Sequence, residues 1–236
     1  MIDFLNKFDF QSHLLFEGLD ADEIAQVNYY MEELSIKKGS MLFYEDGIPT
    51  GIFQLKKGRA KKSKRGFNGA EQLFYVYKPE DVLGYHALLS EERYQDSCEA
   101  LEDLEVSFIS KSNFLKLLAD IPKLKDAFIK NMSHEFGVLA NIVAVLAQKD
   151  QNTRLAIFLF VLQERFEQYD PSIDGVDLSR EDLANCIGTS RESLGRSLKF
   201  FKDEGLIEVN RRTIKIKDKK GLLHYLGLDL ALEKNV

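Results

Sequence analysis

The chain has 236 residues, 44% hydrophobic and 30% charged, with a net charge of −6, a balance that suits a soluble globular protein of one large or two modest domains. No stretch reaches the ~18–20 uninterrupted apolar residues of a membrane span, and MIDFLNKFDF lacks the basic start and apolar run of a secretory signal. Cys98 and Cys186 stand alone and far apart, which fits a reducing cytoplasm and small buried hydrophobes, and leaves no metal or cofactor expected.

In chain order, residues 1–35 open helically, with Leu19, Ile24 and Val27 at helix-compatible intervals. From about Ile36 to Ile109 glycines punctuate short apolar runs such as GIFQL, QLFYVY and VSFIS, the texture of a β-roll, barrel or sandwich. Within it Lys61, Lys62, Lys64 and Arg65 are expected at a solvated hairpin tip, contact with an anionic partner being the alternative. SKSNFLKLLAD returns to helix with Ser112 as N-cap. Pro122 then opens a long helix to about Gln148, on which Phe128, Met132, Phe136, Leu139, Val143 and Leu146 step by 4, 4, 3, 4 and 3. That spacing predicts a homodimer seam, although a helix packed on its own domain shares it. KDQN (149–152) reads as a hinge. The next helix turns Leu155, Phe158, Leu159, Leu162 and Phe166 inward.

The most informative segment follows. Ser179 opens a short helix and Gly188 ends it in a tight turn. Ser190 caps a second helix that stops at Gly205. At 100° per residue Leu194, Leu198 and Phe201 share an arc of roughly 60°, while Arg191, Glu192, Gly195, Arg196 and Lys199 share another roughly 120° away. Arg forks match guanine O6 and N7, and a carboxylate accepts from cytosine N4. LIEVNRRTIKI then alternates like a hairpin with Asn210, Arg211 and Arg212 at its tip, a wing suited to phosphates. Residues 188–220 carry a local charge of +5, which leaves −11 for the rest, a basic patch on an acidic body. An exterior helix face with Arg and Glu is also what plain solvation produces.

SREDLANCIGTSRESLGRSLKFFKDEGLIEVNRRTIKI resembles the winged helix-turn-helix of the CRP/FNR family of bacterial transcription regulators, and the likeness extends through the hinge, the long helix and the glycine-punctuated roll. The resemblance implies an α+β fold in three parts. These are an N-terminal β-roll sensor (double-stranded β-helix or jelly-roll-like) with flanking helices over 1–120, a dimerisation helix and hinge over 121–149, and a winged helix-turn-helix over 150–236. It implies double-stranded DNA, a second copy of the chain, RNA polymerase and a small-molecule effector as partners. Arg191, Glu192 and Arg196 would read a GTGA-type half-site, with Ser190, Ser193, Lys199 and Arg212 on phosphates.

The sequence leaves the family pattern in the sensor. Cyclic-nucleotide-binding members carry Gly-Glu near the end of the roll and Arg-Ser/Thr shortly after. Here Gly84 is followed by Tyr85, and Tyr94 or Gln95 stands in the Arg place. Leu139 and Ala140 replace the hydroxyl residues of the long helix. An effector other than a cyclic nucleotide is therefore expected in a pocket formed by Gly84, Tyr85, His86, Leu88 and Leu139, or none is needed. His86 could suggest haem, but a lone histidine in such a roll is more often a surface or hydrogen-bonded residue. Two rival readings are a signalling module whose head binds protein and a cupin-like enzyme, the latter needing a His/Glu metal cluster that the roll lacks. No triad, HExxH or phosphate-binding GxxxxGK[ST] occurs.

Overall fold

The computed structural model describes residues 2–170 and 172–228. Its elements run α1 (Ile2–Asn6), a 3-10 turn (Ser12–Phe16), α2 (Ala21–Tyr29), β1 (Glu32–Ile36), β2 (Met41–Phe43), β3 (Gly51–Lys57), β4 (Ala60–Arg65), β5 (Glu71–Tyr77), β6 (Val82–Leu83), α3 (Tyr85–Leu89), β7 (Ser97–Ala100), β8 (Leu104–Ser110), α4 (Lys111–Asp120) and α5 (Pro122–Gln148). The chain continues with α6 (Gln151–Tyr169), β9 (Val176–Asp177), α7 (Arg180–Ile187), α8 (Arg191–Asp203), β10 (Ile207–Asn210), β11 (Thr213–Ile216) and α9 (Lys219–Tyr225). The fold is mixed α+β, as the sequence led us to expect.

Two compact units emerge, one from Asp9 to Val138 and the other built from the chain on either side of it. The division falls inside α5. The first residues also leave the sensor: Leu5 and Phe8 are buried, the Phe4 and Phe160 rings lie 6.0 Å apart, and Asn141 Nδ2 donates to Lys7 O at 3.1 Å. An apolar N-terminal turn covers α6 there, a pairing of distant segments that local pattern does not show.

The Asp9–Val138 unit holds two four-stranded antiparallel sheets, ordered β1-β8-β3-β6 and β2-β7-β4-β5. The apolar runs noted above supply their inner faces, with Leu55, Leu73, Tyr77, Val82 and Val106 all essentially sequestered from water. The Lys61–Arg65 run is corrected. It forms β4 rather than a hairpin tip, Lys61 and Lys62 are buried, and the tip falls at Gly66–Gly69. Lys61 pairs with Glu99 at 3.3 Å, Lys62 with Asp96 at 2.5 Å and Lys64 with Glu45 at 2.6 Å, so half-buried carboxylates neutralise most of the run. The cap of α4 is Ser110, whose hydroxyl accepts from Asn113 N, rather than Ser112.

The long helix starts at Pro122 as expected. Its inward stripe is Leu124, Phe128, Asn131, Glu135, Val138, Ile142 and Val145, all buried. Phe128 therefore belongs to the sensor core, edge-on to Tyr85 and Phe114 at 5.1 and 5.0 Å, and not to an outer seam. In the second unit α6 is the central element: twelve consecutive residues from Leu155 to Phe166 are buried. Helices α7 and α8 and the three-stranded sheet β10-β11-β9 pack around it.

Candidate functional site

Each helix of the bihelical motif begins on a serine. Ser179 Oγ accepts from Asp182 N at 2.9 Å, and Ser190 Oγ accepts from Ser193 N at 3.1 Å, which satisfies otherwise orphaned donors at both helix starts. Between them Gly188 takes φ 60°, ψ 52°, a left-handed conformation that a Cβ would oppose. The turn sets α8 against α7, with Leu194, Leu198 and Phe201 buried as the periodicity indicates.

The opposite face of α8 is open to solvent. Arg191, Glu192, Gly195, Arg196 and Lys199 are exposed, and a Cβ built on Gly195 would meet nothing within 4 Å. Arg196 Nη1 donates to Glu192 Oε1 at 2.5 Å and Nη2 to Ser193 Oγ at 2.6 Å. The guanidinium is thus held in one orientation with its plane fixed, which lowers the entropy lost on meeting a bidentate acceptor. Arg191 and Lys199 form no ion pair among the described residues.

The wing is braced rather than loose. Arg180, at the first position of α7, donates to the carbonyls of Arg211 (3.0 Å) and Arg212 (3.2 Å), and burial lowers its basicity without discharging it. Gln163 Oε1 receives Ile216 N at 2.8 Å. Arg212 is not an open cation, since its Nε meets Asp177 Oδ1 at 2.7 Å. Its neighbour Arg211 sits at the tip with φ 53° and no ion pair among the described residues, which leaves it the more open cation of the two.

Sequence reasoning also missed Gln151. From the first turn of α6 its Nε2 donates to Ser193 O at 2.7 Å and Ser197 Oγ at 2.6 Å, and its Oε1 accepts from Thr189 Oγ1 at 2.7 Å. One amide thereby ties the end of the expected hinge to the turn and to the first helical turns of α8. A polar residue in a polar break gave no signal. The hinge is shorter than expected, because Asp150 already caps α6 through Thr153 N and Oγ1.

In the sensor the five expected pocket residues separate. Tyr85 and Leu88 are core side chains at 1% exposure. Gly84 and His86 do line a cavity, together with Phe43, Lys62, Tyr94 and Asp96, but its volume is about 40 Å³. Leu139 is not among its lining residues. Tyr94 stacks on Phe43 at 4.1 Å, and burial pushes its phenol up to about 12. The one cation present, Lys62, is taken by Asp96. Tyr85 OH instead serves α5, donating to Asn131 Oδ1 (2.8 Å) and to Glu135 Oε1, while His86 Nε2 bonds Glu135 Oε2. Burial and the Glu135 charge hold the Tyr85 phenol well above its ordinary value. Among the described residues no group of three or more His, Cys, Asp or Glu is placed to hold a metal, and no helix is long and apolar enough to cross a membrane.

These parts define a class of protein: a β-sheet domain and a winged helix-turn-helix domain on one chain, with a long helix between them in sequence. Comparison with known proteins sharpens it. Residues 33–120 match the cyclic nucleotide-binding domain family and residues 153–225 the Crp-like helix-turn-helix domain family. The chain is 26% identical to the transcriptional regulatory protein btr of Bordetella pertussis over 213 residues, covering 89% of this chain and 88% of the relative. It is 28% identical to electron transport regulator A of Shewanella oneidensis, covering 85% and 81%. Similar solved structures include FixK2 from Bradyrhizobium japonicum (TM-score 0.72, 22% identity, 83% of this chain and 96% of that one). The c-di-GMP-responsive global regulator CLP of Xanthomonas campestris also matches (TM-score 0.74, 19% identity, 85% and 100%). The chain belongs to the CRP/FNR family of transcription regulators. It is a helix-turn-helix regulator and not an enzyme.

Proposed function

We propose that the protein works as a homodimer that reads a palindromic DNA site of GTGA-type half-sites, and that its sensor does not respond to cyclic nucleotides. The observation that carries the DNA reading is the exposed face of α8, where Arg196 is held by Glu192 and Ser193 beside an unpaired Arg191. Arg191 and Arg196 supply guanine forks, Glu192 accepts from cytosine, and Ser190, Ser193, Lys199, Arg211 and Arg212 attend the phosphates. Arg212 does so by exchanging Asp177 for a phosphate.

The dimer reading rests on a second stripe of α5. Ile129, Phe136 and Val143 are 51%, 77% and 62% exposed at strict seven-residue intervals, with Met132, Leu139 and Leu146 half-buried between them. That is the expected seam with Ile129 in place of Phe128. Large apolar side chains at heptad spacing are what a second copy buries, each contributing about 1.5–3 kcal/mol.

A cyclic nucleotide does not fit the residues at Gly84. The cavity of about 40 Å³ is far below the roughly 300 Å³ of an ordinary ligand site, and its single lysine is already paired. A cyclic phosphate there would stay without a cationic partner, at several kcal/mol. Contact with RNA polymerase is part of the reading by family resemblance.

The test is a gel-shift series with the full-length protein on a GTGA palindrome and on variants with each G·C pair inverted. Sequence-selective binding that disappears when either half-site is scrambled is expected. Equal affinity for all duplexes would overturn base readout. An affinity indifferent to loss of one half-site would overturn the dimer.

A further inference from the structure

We propose that the sensor takes its effector in a cleft between the 3-10 turn Ser12–Phe16 and α5, and that the effector is a singly charged carboxylate with an apolar tail. The inference rests on the reading of the chain as an effector-controlled regulator. It locates the control at a place separate from the small cavity at Gly84.

The cleft has a volume of about 340 Å³, within the range of small-molecule sites. Leu14, Leu15 and Gly18 line it from the turn side and Ala127 from α5, so most of its wall is apolar. Four polar groups besides Glu17 line it. Lys130 is exposed and forms no ion pair among the described residues, and Asn131 is polar yet only 8% exposed. His134, one helical turn beyond Lys130, uses Nε2 on Asp9 O at 2.9 Å. A carbonyl only accepts, so that nitrogen carries the proton and Nδ1 is left over. Gln11 stands at the mouth.

Charge decides the ligand class. Lys130 is opposed by Glu17, which is also without an ion pair among the described residues. A dianion such as a phosphate monoester would find one ammonium and one repelling carboxylate. A monoanion finds Lys130 with His134 beside it, and its tail covers Leu14, Leu15 and Ala127.

The cleft also has a route to the rest of the sensor. Asn131 Nδ2 donates to Phe10 O at 2.7 Å, and its Oδ1 receives Tyr85 OH. Tyr85 and His86, the first residues of α3, close on Glu135 one turn further along α5. A ligand that draws on Asn131 or His134 therefore pulls on the Asp9–Phe10 segment and on α3 together. By helical geometry the Ala127–Lys130–His134 face lies roughly 160° from the Ile129–Phe136–Val143 stripe, so a second copy seated on that stripe leaves the cleft open.

Octanoate is the probe. Full-length ¹⁵N-labelled protein is titrated with octanoate and, separately, with octanol, while operator binding is measured on the same samples. Saturable amide shifts centred on residues 11–18 and 127–134 are expected, with a Kd below about 1 mM. Lys130→Gln should weaken octanoate about tenfold and leave octanol unchanged. Ala127→Phe, which fills the cleft from the other side, should abolish both. Absence of saturation, shifts centred on Gly84–Gln95, or indifference to Lys130→Gln would each overturn the proposal. Intact operator binding in those cases confines the failure to this inference, whereas wild-type protein that binds no operator with or without octanoate overturns the regulator reading beneath it.

Discussion

Gln151 offers a sharp test of how the head is organised. Gln151→Ala removes three hydrogen bonds in one step, to Ser193 O, Ser197 Oγ and Thr189 Oγ1, at 2.7, 2.6 and 2.7 Å. A net hydrogen bond contributes about 0.5–1.5 kcal/mol, and a partner left buried without water loses more. Ser197 is 2% exposed, so its hydroxyl loses a partner that solvent replaces poorly. Ser193 and Thr189 lie nearer the surface and can turn to water. Allowing one bond near the top of that range and two near the bottom gives a loss of about 2–3 kcal/mol. If the bonds serve only to hold the head together, the whole effect falls on its melting. If they also fix the register of α8, part of it falls on DNA: a share of 1.4 kcal/mol weakens operator binding tenfold. Urea melts read alongside gel shifts separate the two, and we expect both to move. Unchanged melting and unchanged operator affinity would mean that the amide does not make these bonds in solution, and the coupling of the 149–150 break to α8 would fall with it.

Other expectations follow from the same geometry. Arg191→Ala should weaken operator binding by about 1–3 kcal/mol and relax preference at one G·C pair, as read by competition against single-pair variants. Arg211→Ala should weaken all sequences alike and flatten the salt slope by about 1 in affinity measured across ionic strengths. Phe136→Glu with Val143→Glu should give monomers by light scattering, because two carboxylates would otherwise enter the seam unpaired.

The head was legible because its determinants are local. Serine caps, Gly188, and an apolar arc on α8 opposite a charged one all lie within thirty residues, and the structure places each as its spacing suggests. The sensor was legible as a texture of strands but not as a site. Tyr85, Leu88 and His86 are neighbours in sequence, yet one helical turn sends two of them into the core and one to the rim of a small cavity. Lys61 and Lys62 read as surface because lysine usually is; Glu71 and Glu99 beside Lys61, and Asp96 beside Lys62, come from the two neighbouring strands and the loop before one of them. Arg212 is paired by Asp177 for the same reason.

The long helix shows why periodicity alone could not fix the interface. Both its stripes repeat every seven residues: Leu124, Phe128, Asn131, Glu135 and Val138 inward, Ile129, Met132, Phe136, Leu139 and Val143 outward. They differ by about one residue of phase, roughly 100°, and Phe128 and Ile129 are both large and apolar, so the pattern admits either as the first member of the outer seam. What separates the stripes is composition further along. The inward stripe contains Asn131 and Glu135, which a coiled-coil seam would bury without partners but which the sensor satisfies through Phe10 O, Tyr85 and His86. The polar pair marks the face turned to the core, and the apolar stripe of the expected seam is the one left partly exposed. On this helix polarity follows function more closely than burial does.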